Sequence, residues 1–447
     1  MQSQSLFLIK KYTSNKDNLT LWMNNLLVLY AFLLPISQTI KATIFTFILL
    51  LFFIRGDVVN QVKSTLRNKV VRSFLYLFLI YVIGLLWTDD MSSGINAINS
   101  IKYGLYLIIF YSIVDGHYID KVITAFILGM LVSELTSYGI LFEIMPWRLE
   151  IGEILFYKVQ SPHDPSPFLN HIHYGVALSF LVVLLGQKIV FSSEHLYVKL
   201  IMSLFVVSAT ANIFVTGGRT GYMTFIVLML ILPIFYLKKY VIGVLSALIL
   251  ILSIAYTSSP IFQTKFVETK QSIEQLFTEE PNFNTSLGAR AGMYYYAFEI
   301  IKDNLIFGVG TGDSMNEMHK VTPQKWDIIH SLTHEHNQYL STLLKLGLVG
   351  LFVFLNVFYQ IFTYKQEEKD LRFIQIFITL AVGIGILTTQ FNLRFFLPLL
   401  VVMLSITLIN RSRVTIQNIE LNDKKQAFQI IGVGIIFSFA SLIHQLI

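Results

Sequence analysis

Residues 333–363 read THEHNQYLSTLLKLGLVGLFVFLNVFYQIFT. Behind the polar cluster His334, Glu335, His336 and Asn337 runs an apolar stretch to Thr363, and Lys345 is the one Lys, Arg, Asp or Glu between 336 and 363. Its length exceeds the roughly 20 residues with which a helix crosses about 30 Å of hydrocarbon. A surface helix of a soluble domain would carry a charged face opposite its apolar stripe. The stretch therefore predicts a transmembrane helix with titratable groups at its mouth.

The rest of the chain agrees. Over 447 residues, 54% are hydrophobic and 13% charged, and the mean hydropathy is +0.64, against about 25% charged residues in an average soluble domain. Apolar runs predict spans at 20–37, 39–54, 70–87, 99–115, 121–142, 172–187, 198–215, 220–237, 240–256, 336–363, 373–389, 393–409 and 428–446. The fold class expected is an all-α polytopic membrane protein of 12 or 13 transmembrane helices, one domain over 1–447. The runs at 20–37, 39–54 and 99–115 also fit a hairpin or an interfacial helix.

Lys and Arg set the orientation. With the N-terminus inside, the cytoplasmic segments hold twenty of them and the short outer loops six: Lys41, Lys102, Arg148, Lys158, Arg219 and Arg394. That is the positive-inside bias, so the net charge of +6 is a topology signal and implies no nucleic acid. The first residues, MQSQSLFLIKKYTSNKDNLT, lack the pattern of a cleaved signal and read as a retained cytoplasmic end. With no cysteine, disulfide and thiolate chemistry are excluded.

Two outer segments are long enough to build structure: 143–171, rich in proline and aromatics, and the larger loop 257–335. Within the latter, ARAGMYYYAFEIIKDN from 289 predicts an amphipathic helix, stopped by FGVGTGDS at 307–314, whose glycines permit a tight turn. The topology brings three distant features to the outer face: GGRTG at 217–221, GAR at 288–290 and HEHN at 334–337.

An arginine at a membrane boundary can simply snorkel. Arg219, however, faces the side the positive-inside rule disfavours, and Gly217, Gly218 and Gly221 beside it allow close backbone approach. Its guanidinium is a fork suited to phosphate oxygens. Arg290, alone, would read as a solvated loop charge; paired with Arg219 it can clamp a pyrophosphate where another protein would use a divalent metal. For HEHN, three readings compete: a helix cap through Asn337 or Thr333, a metal site of His330, His334 and His336, and a general base. We rank base above cap above metal. His171 and His173 in FLNHIHYG (168–175) can line an acceptor site or belong to a capped interfacial helix. Tyr294, Tyr295 and Tyr296 fit a sugar platform, but an aromatic belt explains them more simply. Lys345, deep in its span, predicts a partner inside the bundle, with Glu134 a candidate.

His336-Asn337, nine residues, Gly347, two residues and Gly350 resemble the His-Asn-x9-Gly-x-x-Gly pattern of the bacterial O-antigen ligases and the related O-antigen polymerases. Arg219, Arg290 and the FGVGTGD turn resemble the arginines and glycine-rich turn that precede this pattern there. The resemblance covers about 210–350. It implies an inverting glycosyltransferase of the GT-C type with a large periplasmic loop that forms part of the active site. Such an enzyme sits in the bacterial inner membrane, acts on its periplasmic face and needs no cofactor. The donor implied is a glycan on undecaprenyl pyrophosphate, and the acceptor is lipid A-core for a ligase. It would be a second lipid-linked repeat for a polymerase, or a protein side chain in a third branch. His336 would be the base, Arg219 and Arg290 the pyrophosphate clamp, with Asn337, Gly218, His334 and His171 binding substrate. Outside enzymology, a lipid-linked-sugar flippase would also want outward arginines, but its ionisable groups would line a path across the bilayer. An assembly protein docking through 257–335 is the last alternative.

Overall fold

The computed structural model describes residues 2–416 except 152–153, 160–163, 237 and 392–394, and describes backbone alone at 2–15, 151, 154–156 and 234–235. The expected span at 428–446, with Lys424 and Lys425, and Arg394 lie outside the described residues.

The chain is a multi-pass helical protein. Helices α1 (Gln2–Leu33), α2 (Gln38–Ile54), α3 (Val58–Thr65), α4 (Lys69–Ile83), α5 (Met91–Ile101), α6 (Tyr106–Ile113) and α7 (Ile119–Leu141) precede a two-stranded antiparallel hairpin, β1 (Arg148–Ile151) and β2 (Ile154–Lys158). Then come α8 (His171–Phe191), α9 (Leu196–Val215), α10 (Arg219–Phe235), α11 (Val241–Ser258), α12 (Pro260–Leu276), α13 (Ser286–Asp303), α14 (Ser314–Val321), α15 (Asp327–Ser331), α16 (Gln338–Thr363), α17 (Lys369–Gly385) and α18 (Phe396–Thr407). Each expected span up to residue 409 overlaps a helix.

Among the described residues, six helices are long and apolar enough to cross a membrane, seven if the bent pair α2 and α3 counts as one. This is fewer than the 12 or 13 expected, for local reasons. The 99–115 run breaks into α5, a 3-10 turn and α6. Helices α10 and α17 have 17 residues each, the lower end of what spans a bilayer. Helix α18 has only 12, all buried; apolar on every side, it is core. Lys41, expected in an outer loop, lies instead within α2 and is buried.

Helix α8 is the hub, packed against α9, α10 and α17. Its crossing with α10 depends on two glycines: a Cβ on Gly221 would sit 2.7 Å from Gly175 Cα. The backbones meet there, and the Ser179 hydroxyl donates to Gly221 O at 3.1 Å. Small residues let membrane helices approach where no hydrophobic drive exists between them. By contrast, 11% of the span at Lys238–Ser258 is buried against 72% for α8; α11 flanks the bundle.

The segment 257–335 is folded, not a loose loop. Helices α12 and α13 form its body, and α13 covers the helix expected from 289 onward. A small core of Ala289, Met293, Ala297, Ile300, Met318, Ile329 and Leu344 fastens it to α16.

Candidate active site

Helix α9 ends at Val215, and the chain turns through Gly217 at φ +63° into Gly218, the residue preceding α10. A Cβ on Gly218 would lie 2.7 Å from the His171 carbonyl, so only glycine lets the starts of α8 and α10 come this close. The result is a cavity of about 1750 Å³. Its wall includes the first residues of four helices: His171 of α8, Arg219 of α10, Pro260 of α12 and Ser286 of α13. Each helix N-terminus carries roughly half a positive charge, which favours an anion in the cavity they border.

Arg219, Arg290 and Lys265 line the same cavity. Arg219 Nη2 donates to Glu268 Oε2 at 2.6 Å, and Lys265 Nζ to the same oxygen at 3.0 Å. Burial pushes the Glu268 carboxyl up, but Lys265 and Arg219 outweigh it and hold it below its ordinary value. The Nε atoms of Arg219 and Arg290 are buried without a hydrogen-bond partner among the described residues. Burial, and the charge of Arg219, weaken the hold of Arg290 on its proton. Two guanidinium groups in mutual repulsion with unspent donors suit an oxyanion ligand. Deeper in, the wall turns apolar through Met223, Ile226, Ile249 and Leu252.

His336 stands at the margin of this cavity. Residues 332–337 are not helical, and Asn337 caps α16, its Oδ1 accepting from the N–H groups of Tyr339 at 2.8 Å and Leu340 at 3.1 Å. The Asn337 amide also donates to the Tyr294 hydroxyl at 3.0 Å. Immediately before the cap, His336 adopts φ +51°, a left-handed conformation uncommon outside glycine, though His, Asn and Asp take it more readily than other residues. The Thr388 backbone hydrogen-bonds its ring, and Thr388 lines the cavity. Nδ1 is left buried without a partner among the described residues. Burial, then the nearby His334 and Arg290, lower the His336 pKa to about 4. Its ring is thus neutral at neutral pH, with an acceptor nitrogen unspent. The His334 ring lies 4.0 Å from it.

Glu335, between the two histidines, is fully buried. Its carboxylate accepts from the Ser314 hydroxyl and the Gln390 amide and pairs with Lys345 Nζ at 3.8 Å. Burial pushes its pKa up, yet Lys345 and the hydrogen bonds hold it below the ordinary value. Glu335, not Glu134, is therefore the partner of Lys345. Glu134 is buried in α7, where it meets Ser208 of α9.

Helix α16 is interrupted at Gly347, whose φ of +62° and ψ of −161° break the helical path. Into the break docks the glycine turn. Val309 and Gly310 donate to the carbonyls of Leu344 and Lys345, both at 2.9 Å, and Leu348 donates to Leu305 O at 2.9 Å. The groups that the break frees are thus satisfied by the turn. A Cβ on Gly347 would lie 2.2 Å from Ile306 O, the physical reason for a glycine there.

Residues 204–355 match the family model described as O-antigen ligase. Over those residues the chain is similar to the O-antigen ligase superfamily. The O-antigen ligase match runs from within α9 to α16 and contains Arg219, Arg290, His334, His336, Asn337, Gly347 and Gly350; it stops short of Thr388 and Gln390. The chain is also 30% identical over 206 residues to a Haemophilus influenzae protein described as an uncharacterized protein. That alignment covers 44% of this chain and 51% of the relative, so the chain spans about half the length of the curated relative it matches.

Arg219, Arg290 and His171 thus line one cavity, Gly218 packs against His171 at its edge, and His336 and Asn337 stand beside it. His171 Nδ1 lies 2.9 Å from Asp164 Oδ2 and on the arginine side. His173 is buried against Phe395 and Phe396, away from the cavity. The histidine triplet considered for a metal does not share one helical face: α15 ends at Ser331, and the His330 ring turns to Thr322 O at 3.2 Å and stacks near His319. Sequence reasoning missed Glu268, Lys265, Thr388 and Gln390, and set aside Tyr294. Only the polar run TTQ at 388–390, closing an apolar helix, gave a signal.

Proposed function

We propose that the protein is an inverting glycosyltransferase that moves a glycan from undecaprenyl pyrophosphate to a sugar hydroxyl of lipid A-core on the periplasmic face of the bacterial inner membrane, an O-antigen ligase. The observation that carries this reading is the meeting of Arg219 and Arg290 in one cavity with four helix N-termini and an apolar inner wall. A polyprenyl pyrophosphate has those two halves, an anion and a hydrocarbon chain.

The acceptor O–H attacks the anomeric carbon from the face opposite the pyrophosphate, forming a new C–O bond as the bond to the phosphate oxygen breaks. His336 Nδ1 takes the hydroxyl proton, and undecaprenyl pyrophosphate departs with the bonding electrons. Arg219 and Arg290 neutralise that growing charge, each such donor contributing on the order of 3 kcal/mol to the transition state. Glu335 stays ionised beneath the histidine pair, anchoring the loop that presents His336.

The deciding experiment is reconstituted transfer with purified protein, undecaprenyl-pyrophosphate-linked glycan and EDTA, offering lipid A-core or further donor, with His336→Ala as control. Glycan on lipid A-core, lost in the variant, is the expected result. Lengthening of the donor without use of core would make the protein a polymerase. No product with either acceptor would overturn transfer and return the flippase.

A further inference from the structure

A second cavity, of about 410 Å³, has His334 in its wall. Its size falls within the roughly 300–1,000 Å³ of small-ligand sites. Helix α5 supplies Ser93, Asn96 and Asn99 to one wall; Asn316 of α14, Gln338 of α16 and Gln390 supply the other. Amides and hydroxyls present donors and acceptors together without net charge. Arg219 and Arg290, which line the larger cavity, are absent from this one, whose charged lining is Lys345, already paired with Glu335. His334 belongs to this wall, its ring stands 4.0 Å from that of His336, and His336 is bonded to Thr388 of the large cavity. His334 thus borders the neutral polar chamber, and its neighbour His336 reaches the anion-and-hydrocarbon chamber through Thr388.

We propose that the polar cavity between α5, α14 and the first turns of α16 is the binding site for the acceptor saccharide, which enters against His334 while the pyrophosphate-linked donor occupies the arginine cavity. The proposal rests on the transferase reading for its use of the word acceptor; the carbohydrate site itself rests on the lining. Asn96, Asn99 and Asn316 are exposed and so recognise a ligand by exchanging water for its hydroxyls.

The absence of cysteine makes the test clean. Asn96→Cys places one thiol in the polar cavity, and Ser253→Cys places one in the large cavity, which Ser253 lines. Each full-length variant in nanodiscs is reacted with a maleimide, with and without core oligosaccharide freed from lipid A. Labelling at position 96 should slow by a factor of 1 + [L]/Kd, about tenfold when the saccharide is at about ten times Kd, and labelling at 253 should not change. Ser93→Cys serves as a second reporter should Asn96→Cys insert poorly. Unchanged labelling in the polar cavity, or equal slowing at both cavities, overturns the assignment. Wild-type transfer is measured alongside: protection at position 96 without any transfer leaves the saccharide site standing and removes the transferase reading.

Discussion

Glu335 and Lys345 face each other at 3.8 Å, the carboxylate wholly buried and the ammonium nearly so. Removing one partner of a buried pair leaves an uncompensated charge and costs about 3–5 kcal/mol. Lys345→Met should therefore lower the thermal midpoint of the detergent-solubilised protein sharply, whereas Lys345→Met with Glu335→Gln should recover much of it. Normal melting and transfer by the single variant would show that the pair is dispensable.

Arg219 is the more exacting test of the anion cavity. Loss of about 3 kcal/mol of transition-state stabilisation predicts a fall in kcat/KM on the order of 100-fold for Arg219→Ala in correctly inserted protein. Arg219→Lys should rescue little, since an ammonium lacks the fork. Because the Glu268 carboxylate accepts from both Arg219 and Lys265 and would compete with an anionic ligand for them, Glu268→Gln should lower the KM for donor. A raised donor KM in that variant would mean the carboxylate helps binding.

The low pKa of His336, about 4, fixes the pH behaviour. A base must be unprotonated, so the acid limb of kcat/KM should lie well below 6.5, the value of an unperturbed histidine. His334→Ala, by removing a nearby charge that lowers the His336 pKa, should move that limb upward. The sign for stability follows: between about pH 4 and 6.5 the unfolded chain binds the proton and the folded one does not, so stability rises with pH across that window. Stability that rises as the pH is lowered from 6.5 to 4 in wild type, or a limb at 6.5, would remove His336 from the role of neutral base.

Gly347 should tolerate nothing larger. Its positive φ and the Ile306 carbonyl in the space of a Cβ predict that Gly347→Ala destabilises by more than the 1–3 kcal/mol typical of overpacking. Gly186, inside α8 with open space around it, is the control: Gly186→Ala should leave the stability unchanged or raise it by up to about 1 kcal/mol, since alanine is the better helix former. Equal effects at both positions would refute the docking of the glycine turn.

The helices were legible because twenty apolar residues in a row have one economical solution, and Asn337 was legible as a cap because its side chain acts on its own neighbours. Arg219 stood out as a charge on the disfavoured side, and Arg290 gained weight only beside it. What the chain could not announce is anything settled across long separations. Glu335 looks solvated in HEHN until Ser314, Gln390 and Lys345 close over it. The left-handed turn at His336 leaves no mark in residue type, and Lys265 with Glu268 reads as an ordinary i, i+3 pair until Arg219 arrives. The hairpin β1 and β2 is too short for its alternation to register.

The hydroxyls of Thr220 and Thr388 meet at 2.5 Å across 168 residues of chain. Thr220 follows Arg219, and Thr388 holds His336. A ribosome adding about 5–20 residues per second delivers the first roughly 10–30 s before the second. Through that interval the nascent protein has Arg219, then gains Arg290 and His336, but lacks the Thr388 backbone that hydrogen-bonds the His336 ring. The hydroxyl contact that ties the start of α10 to Thr388, just past α17, therefore forms only once most of the chain has been made.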